Sequence, residues 1–201
     1  MDVNSRNLAL AAGASVFVFW AWRYMRSQNT VTTLDGTGMT PPDTSTPTIF
    51  EDLMSKTTTF IGLWKPPAKY ADAIVMAEDQ NGIPHDMLAR LLYQESHYRA
   101  DIIDGRTKSP VGALGIAQFM PATAQQLGIN PLDPFQAIDG AGRYLASLYR
   151  QTSSWSQALA AYNWGIGNVT RRGLDSAPTE TRNYYTQILA DVNNANGTTY
   201  A

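Results

Sequence analysis

Leu88-Ala89-Arg90-Leu91-Leu92-Tyr93-Gln94-Glu95-Ser96 is the stretch on which the reading of the chain turns. Leu88, Leu91, Leu92 and Glu95 stand at i, i+3, i+4 and i+7, the spacing of one helix face. Leucines at the first three of those positions predict a stripe turned toward a core, and a carboxylic acid completes it. Lost hydration on such a stripe favours the neutral form of a carboxyl group. An acid that holds its proton near neutral pH is what general acid catalysis requires. The same residues also allow a plain structural role, a carboxylate at a helix end that pairs with a base or reaches water.

The 201 residues give room for one ordinary domain with appendages. A hydrophobic content of 44% supports a core, and a net charge of −2 makes no electrostatic case for nucleic-acid binding. The chain has no cysteine, which excludes disulfides and thiolate metal sites. Its two histidines, His85 and His97, do not form an HExxH-type spacing, so neither a metal nor a cofactor is implied.

Leu8 to Trp22 (LALAAGASVFVFWAW) carries no charge and lies between Arg6 and the pair Arg23 and Arg26. Trp20, Trp22 and Tyr24 crowd its end as an interfacial aromatic belt would. A full span takes about 20 residues, with a lower limit near 17, and snorkelling arginines can supply the missing length. The expectation is an uncleaved membrane anchor over residues 1–26. A cleaved signal peptide is the rival, and the bulky, charged WAWRYM offers it no small-x-small site. The arginine balance leans weakly toward a cytoplasmic C-terminal side. Residues 27–65, rich in Thr, Pro and Ser, read as a flexible linker. The folded domain is expected over 66–195, with a tail at 196–201.

Within that domain the periodicity predicts helices and no persistent strand. Tyr70 to Gln80 carries Ala71, Ile74, Val75 and Ala77 at helical spacing and stops at Asn81-Gly82. Pro84 suits the first turn of the Leu88–Glu95 helix, and Asp101 to Pro110 reads as a loop. Pro121 opens a short helix closed by Gly128. Asp133-Pro134 starts a longer one with Phe135, Ile138, Leu145, Leu148 and Tyr149 inward. Ser154 to Gln157 fits a capping box for a helix that Gly165 ends, and Thr179-Glu180 starts a last helix with Tyr184, Ile188 and Val192.

Four segments exceed what helix building needs: Gln94-Glu95-Ser96, SPVGALGIAQFMP over 109–121, AAYNWG over 160–165, and ETRNY over 180–184. Gly112 and Gly115 permit close backbone approach, and an inward Gln118 must find hydrogen-bond partners. The bland alternatives are tight packing with Gln118 satisfied by backbone, and a helix C-terminus with Asn163 near its cap. Trp155, Trp164, Tyr93, Tyr98 and Tyr162 suit the apolar wall of a sugar cleft, although aromatics at helical spacing more often serve a core.

Taken in this order, the four segments resemble the soluble-lytic-transglycosylase family of lysozyme-like, peptidoglycan-cleaving domains, over about Tyr70 to Val192. The resemblance implies a mainly α, lysozyme-like helical domain acting on the MurNAc–GlcNAc bond of peptidoglycan glycan strands. It implies Glu95 as catalytic acid and Ser109, Gln118, Met120, Tyr162, Asn163 and Glu180 as substrate-binding residues. Trp164 stands where many members carry alanine. One carboxylate is then enough. It protonates the glycosidic oxygen and afterwards takes the proton of the muramic C6 hydroxyl, which closes onto C1 to leave a 1,6-anhydro end. The closing step gains from being intramolecular.

The rival on the same fold is a goose-type hydrolase using water, with Asp101 or Asp104 as base. A non-catalytic, membrane-tethered glycan-binding module is a further alternative. The implied partners are glycan strands, a lipid membrane through residues 8–22, and virion or secretion-apparatus proteins, with no nucleic acid. The setting is a phage virion membrane or a bacterial inner membrane with the domain facing the wall. The phrases GIAQFMPATA and YNWGIGNV tilt the reading toward the phage.

Overall fold

The computed structural model describes residues 64–201. The expected anchor over 1–26 and nearly all of the expected linker lie outside the described residues. Among the described residues no helix is long and apolar enough to cross a membrane.

The architecture is helical: α1 Ala68–Asn81, α2 Met87–Ser96, α3 Ala100–Ile103, α4 Pro121–Leu127, α5 Pro134–Thr152, α6 Trp155–Trp164, α7 Ile166–Arg172 and α8 Thr179–Asn196, with a 3₁₀ turn at Leu174–Ser176. Pairing of Leu114 with Phe119 is an isolated bridge, and no strand forms among the described residues. The longer helices close a ring of neighbours, in which α1 packs on α5, α5 on α6, α6 on α8, α8 on α2 and α2 back on α1. This is consistent with a lysozyme-like α domain.

The ring follows from which faces are apolar. In α6, Ala158, Leu159, Ala160 and Ala161 are all fully buried, and these mostly small side chains let α5 and α8 approach closely on two sides. In α5 the buried positions Ala137, Ile138, Ala141, Leu145 and Leu148 repeat at helical spacing. Fully burying one such leucine contributes about 1.5–3 kcal/mol. Trp64, 2% exposed, packs in the same core ahead of α1.

Several stops and starts fall where the residues predicted them. Gly82 and Gly128 cap α1 and α4 in left-handed conformation, and Gly165 caps α6. The Asp133 carboxylate accepts the N–H groups of Phe135 and Gln136 at the start of α5. The Ser154 hydroxyl accepts the Gln157 N–H at the start of α6.

Other expectations are corrected. The buried face of α1 is Tyr70, Ile74, Ala77 and Glu78, so Val75 points outward. Phe135 is 54% exposed and lies edge-on against the Tyr70 ring instead of facing the core. The span read as a loop from Asp101 contains most of α3, which buries Ile102 and Ile103. Pro84 precedes α2 by a turn, its carbonyl accepting the Met87 N–H.

Candidate active site

On α2, Leu88, Leu91 and Leu92 are fully buried and Glu95, the next residue of the stripe, is half-buried. The helix ends at once. The Ser96 hydroxyl donates to the Leu92 carbonyl at 3.1 Å and accepts the Tyr98 N–H at 3.2 Å. His97 and Tyr98 follow with φ of +50° and +52°. Two successive left-handed residues other than glycine are uncommon and costly. They break the helix after Ser96 and leave the Glu95 carboxylate on the final turn instead of under a further one.

Opposite stands α8. The buried Tyr184 hydroxyl donates to Glu95 Oε1 at 2.6 Å, a short O–H···O bond. Burial, followed by the Glu95 charge, pushes the Tyr184 phenol well above its ordinary range, so it stays a donor. Burial and then Glu95 do the same to Tyr162, whose hydroxyl donates to the Ala117 carbonyl at 3.1 Å. The Tyr162 ring packs against Phe119 and Tyr144, with centroids 6.0 and 5.4 Å apart. Through Tyr162, α6 is therefore fastened to the 109–121 segment beside Glu95.

That segment is a tight turn. Leu114 and Phe119 exchange backbone bonds of 2.9 and 3.0 Å around it. Gly115 has φ +75°, and a Cβ there would sit 1.7 Å from the Pro131 carbonyl oxygen, so the close approach expected of this pair is real at Gly115. Gly112, in contrast, faces open space. Gln118 takes φ +49°, and its amide donates to the Gly115 carbonyl at 2.7 Å. Its Oε1 is buried with no protein partner. Such an atom costs about 1–3 kcal/mol unless something bonds it.

The other residues expected in the site lie in the same 109–121 segment, at the end of α6 and in the first turn of α8. Asn163 accepts the buried Thr181 hydroxyl at 2.8 Å, which ties α6 to the first turn of α8. Glu180, half-buried in that turn, has one carboxyl oxygen buried without a protein partner. Burial pushes its carboxyl up to about 7. Ser109 is buried and accepts the Val111 N–H at 3.2 Å. Met120, half-buried, precedes α4.

Two alternative readings lose ground, and the plain roles weighed beside them hold. Trp155 and Trp164 are buried, the first stacked on Tyr149 at 4.0 Å and the second under the Arg172 guanidinium, so they are not an open sugar platform. Asp101 and Asp104 belong to a separate network. Thr107 and then Arg99 hold the Asp101 carboxyl down at about 2, and Arg106 lowers that of Asp104. Carboxylates held so low are weak proton acceptors at neutral pH. Conversely, the roles of Tyr184 and Ser96 were missed. Both stood in quoted motifs, and the spacing with Ile188 and Val192 turned Tyr184 inward, as it is, yet nothing in it said that its hydroxyl would meet Glu95.

Residues 72–185 match the family model described as the transglycosylase SLT domain. The chain belongs to that family. It is 37% identical over 109 residues to membrane-bound lytic murein transglycosylase F 2 of Alkalilimnicola ehrlichii, covering 50% of this chain and 23% of that protein. It is 38% identical over 97 residues to membrane-bound lytic murein transglycosylase F of Shewanella pealeana, covering 44% and 19%. It is 31% identical over 140 residues to peptidoglycan transglycosylase gp16 of Escherichia phage T7, covering 61% and 10%. The chain thus spans less than a quarter of the length of these relatives.

Proposed function

We propose that the SLT domain of this chain is a peptidoglycan lytic transglycosylase that cleaves the MurNAc–GlcNAc β-1,4 bond and leaves 1,6-anhydromuramic ends. The observation that carries the reading is Glu95 at the end of a leucine stripe, held by Tyr184 and flanked by Tyr162. In this mechanism Glu95 protonates the glycosidic oxygen and the substrate's N-acetyl group stabilises the developing cation. The Glu95 carboxylate then takes the C6 hydroxyl proton, and that oxygen bonds to C1. One group serves as acid and then base, so no separate nucleophile is needed. Gln118 Oε1 and Glu180, with unpartnered buried oxygens, offer acceptors to sugar amides and hydroxyls, and Ser109, Met120, Tyr162 and Asn163 complete the substrate-binding set.

The hydrolytic alternative would need a base activating water, and the low-lying carboxyls of Asp101 and Asp104 speak against those two. The relatives' printed names support the lyase reading. Around the domain, residues 1–26 anchor the chain and 27–63 tether it, the enzyme beginning at Trp64, which packs in its core. The enzyme faces the wall from a phage virion membrane or a bacterial inner membrane and opens it locally.

The test is digestion of purified peptidoglycan by the wild type and by Glu95→Gln, with products resolved by mass. The wild type is expected to release anhydromuramic fragments and the variant, folded, to release none. Reducing ends would replace the lyase by a hydrolase. Release by the variant at the wild-type rate would remove Glu95 from the chemistry.

A further inference from the structure

We infer that Glu78 is a positioning residue for Glu95: from α1 it supplies the N-terminal cap that α2 lacks, and so sets where α2 presents its acid. The inference rests on the reading of Glu95 as the catalytic acid. A helix N-terminus leaves backbone N–H groups without partners, and an Asp just ahead of it ordinarily caps them through its own side chain. Asp86 occupies that place but takes φ +68° and makes no side-chain cap bond. Its carboxylate pairs with Lys65 Nζ at 3.0 Å instead.

Glu78 does the capping from another helix. Its Oε1 accepts the N–H groups of Leu88 at 2.8 Å and Ala89 at 3.3 Å, and its Oε2 accepts that of Asp86 at 3.1 Å. The side chain is almost wholly enclosed, the residue being 1% exposed. The ionisable groups around it are His85, with Nδ1 at 3.4 Å, Asp86 with its partner Lys65, and Tyr98. Packing alone would favour an apolar residue here, because burying a carboxylate is costly. The cost shows in a carboxyl pushed up to about 7 by burial, against the three backbone bonds that lower it.

The consequence reaches Glu95 because α2 is a stiff rod of 10 residues, about 15 Å long. Glu78 holds one end from α1, and Tyr184 meets Glu95 at the other from α8. Between them Arg90 Nε donates to Asp191 at 2.6 Å, and the Tyr98 hydroxyl donates to the Ala89 carbonyl at 2.6 Å. Releasing the first end lets the rod tilt or slide, and a catalytic group misplaced by about 1 Å can lose on the order of 100-fold in rate.

The experiment compares the full-length wild type with Glu78→Ala, Glu78→Gln, Glu95→Gln and a core control on α5, Leu148→Val. Release of anhydromuramic fragments gives kcat and KM, and thermal melts run in parallel. Glu78→Ala is expected to lower kcat about tenfold or more at temperatures where it is folded, with KM unchanged. Glu78→Gln, which keeps a carbonyl oxygen for Leu88 and Ala89, restores most of that loss. Leu148→Val lowers Tm and leaves kcat alone. Wild-type kcat in folded Glu78→Ala, or a change in KM instead of kcat, overturns the inference. Should Glu78→Ala not fold, Glu78→Asp decides, its carboxylate being set back by one methylene. Reduced kcat at unchanged KM is expected of it, and wild-type kcat overturns the inference. Full activity in Glu95→Gln would instead overturn the reading of Glu95 itself.

Discussion

Removing the hydroxyl of Tyr184 tests the centre of the site with the least disturbance around it. Tyr184→Phe keeps the ring that is buried to 1% exposure and deletes only the donor lying 2.6 Å from Glu95 Oε1. A hydrogen bond to a charged group contributes about 1.5–3 kcal/mol. Glu95 is half-buried, so its oxygen regains water when the phenol leaves, which places the loss near the lower figure. If that loss falls on the transition state, kcat drops by roughly tenfold, because Glu95 is no longer held in one rotamer. KM stays at its wild-type value, since Tyr184 is wholly buried and the glycan meets other groups. Tm falls by a few degrees. Mass-resolved release of anhydromuramic fragments gives the kinetics, and circular dichroism gives Tm. Wild-type kcat would refute the orienting role. A loss near a thousandfold would refute it too, being too large for one orienting bond and pointing to a proton passed by Tyr184 itself.

Stability should fall as pH rises through the weakly acid range. Burial raises the Glu78 carboxyl from 4.5 to about 7 in the folded chain. The native state therefore binds the proton more tightly than the unfolded one. This contribution is complete below about 4.5 and is lost by about 7, on the order of 3 kcal/mol in all. Glu180 adds the same sign in smaller measure, because water screens it. Asp101 acts only at lower pH, its folded value of about 2 lying under the ordinary 3.8. Urea midpoints at about pH 5 and about pH 8 measure the slope, and a slope unchanged in Glu78→Gln would refute the assignment. Gly115→Ala should cost more than about 3 kcal/mol, since the new Cβ would meet the Pro131 oxygen at 1.7 Å. Gly112→Ala has open space and should cost about 1–2 kcal/mol for its φ alone. Equal melting temperatures for the two glycine variants would contradict this.

Several features were legible in the residues because they depend only on near neighbours. The stripe Leu88, Leu91, Leu92 and Glu95 obeys the helix repeat, and all its leucines are buried as that repeat requires. Helix stops at Gly82, Gly128 and Gly165 and the start at Asp133 rest on backbone dihedrals and bonds spanning a few positions. The rotation of a helix about its axis was less legible. Each residue advances about 100° around the axis, so a stripe is known only to about one position. That is why α1 turns Tyr70 and Glu78 inward where Val75 was expected, and why Phe135 at the first turn of α5 stays outside.

Helix periodicity by itself determined a mainly helical domain with Glu95 at a helix end, and the resemblance carried by the four motifs pointed to the SLT family that the match over residues 72–185 shows. Only the tertiary structure decided what surrounds that acid. Tyr184 reaches it across 89 residues of sequence, Tyr162 binds a carbonyl 45 residues away, and Glu78 caps a helix that is not its own. Each contact depends on the relative rotation and axial slide of two packed helices. A few degrees or ångströms of either move a hydroxyl out of hydrogen-bond range, and no pattern within a single helix encodes them.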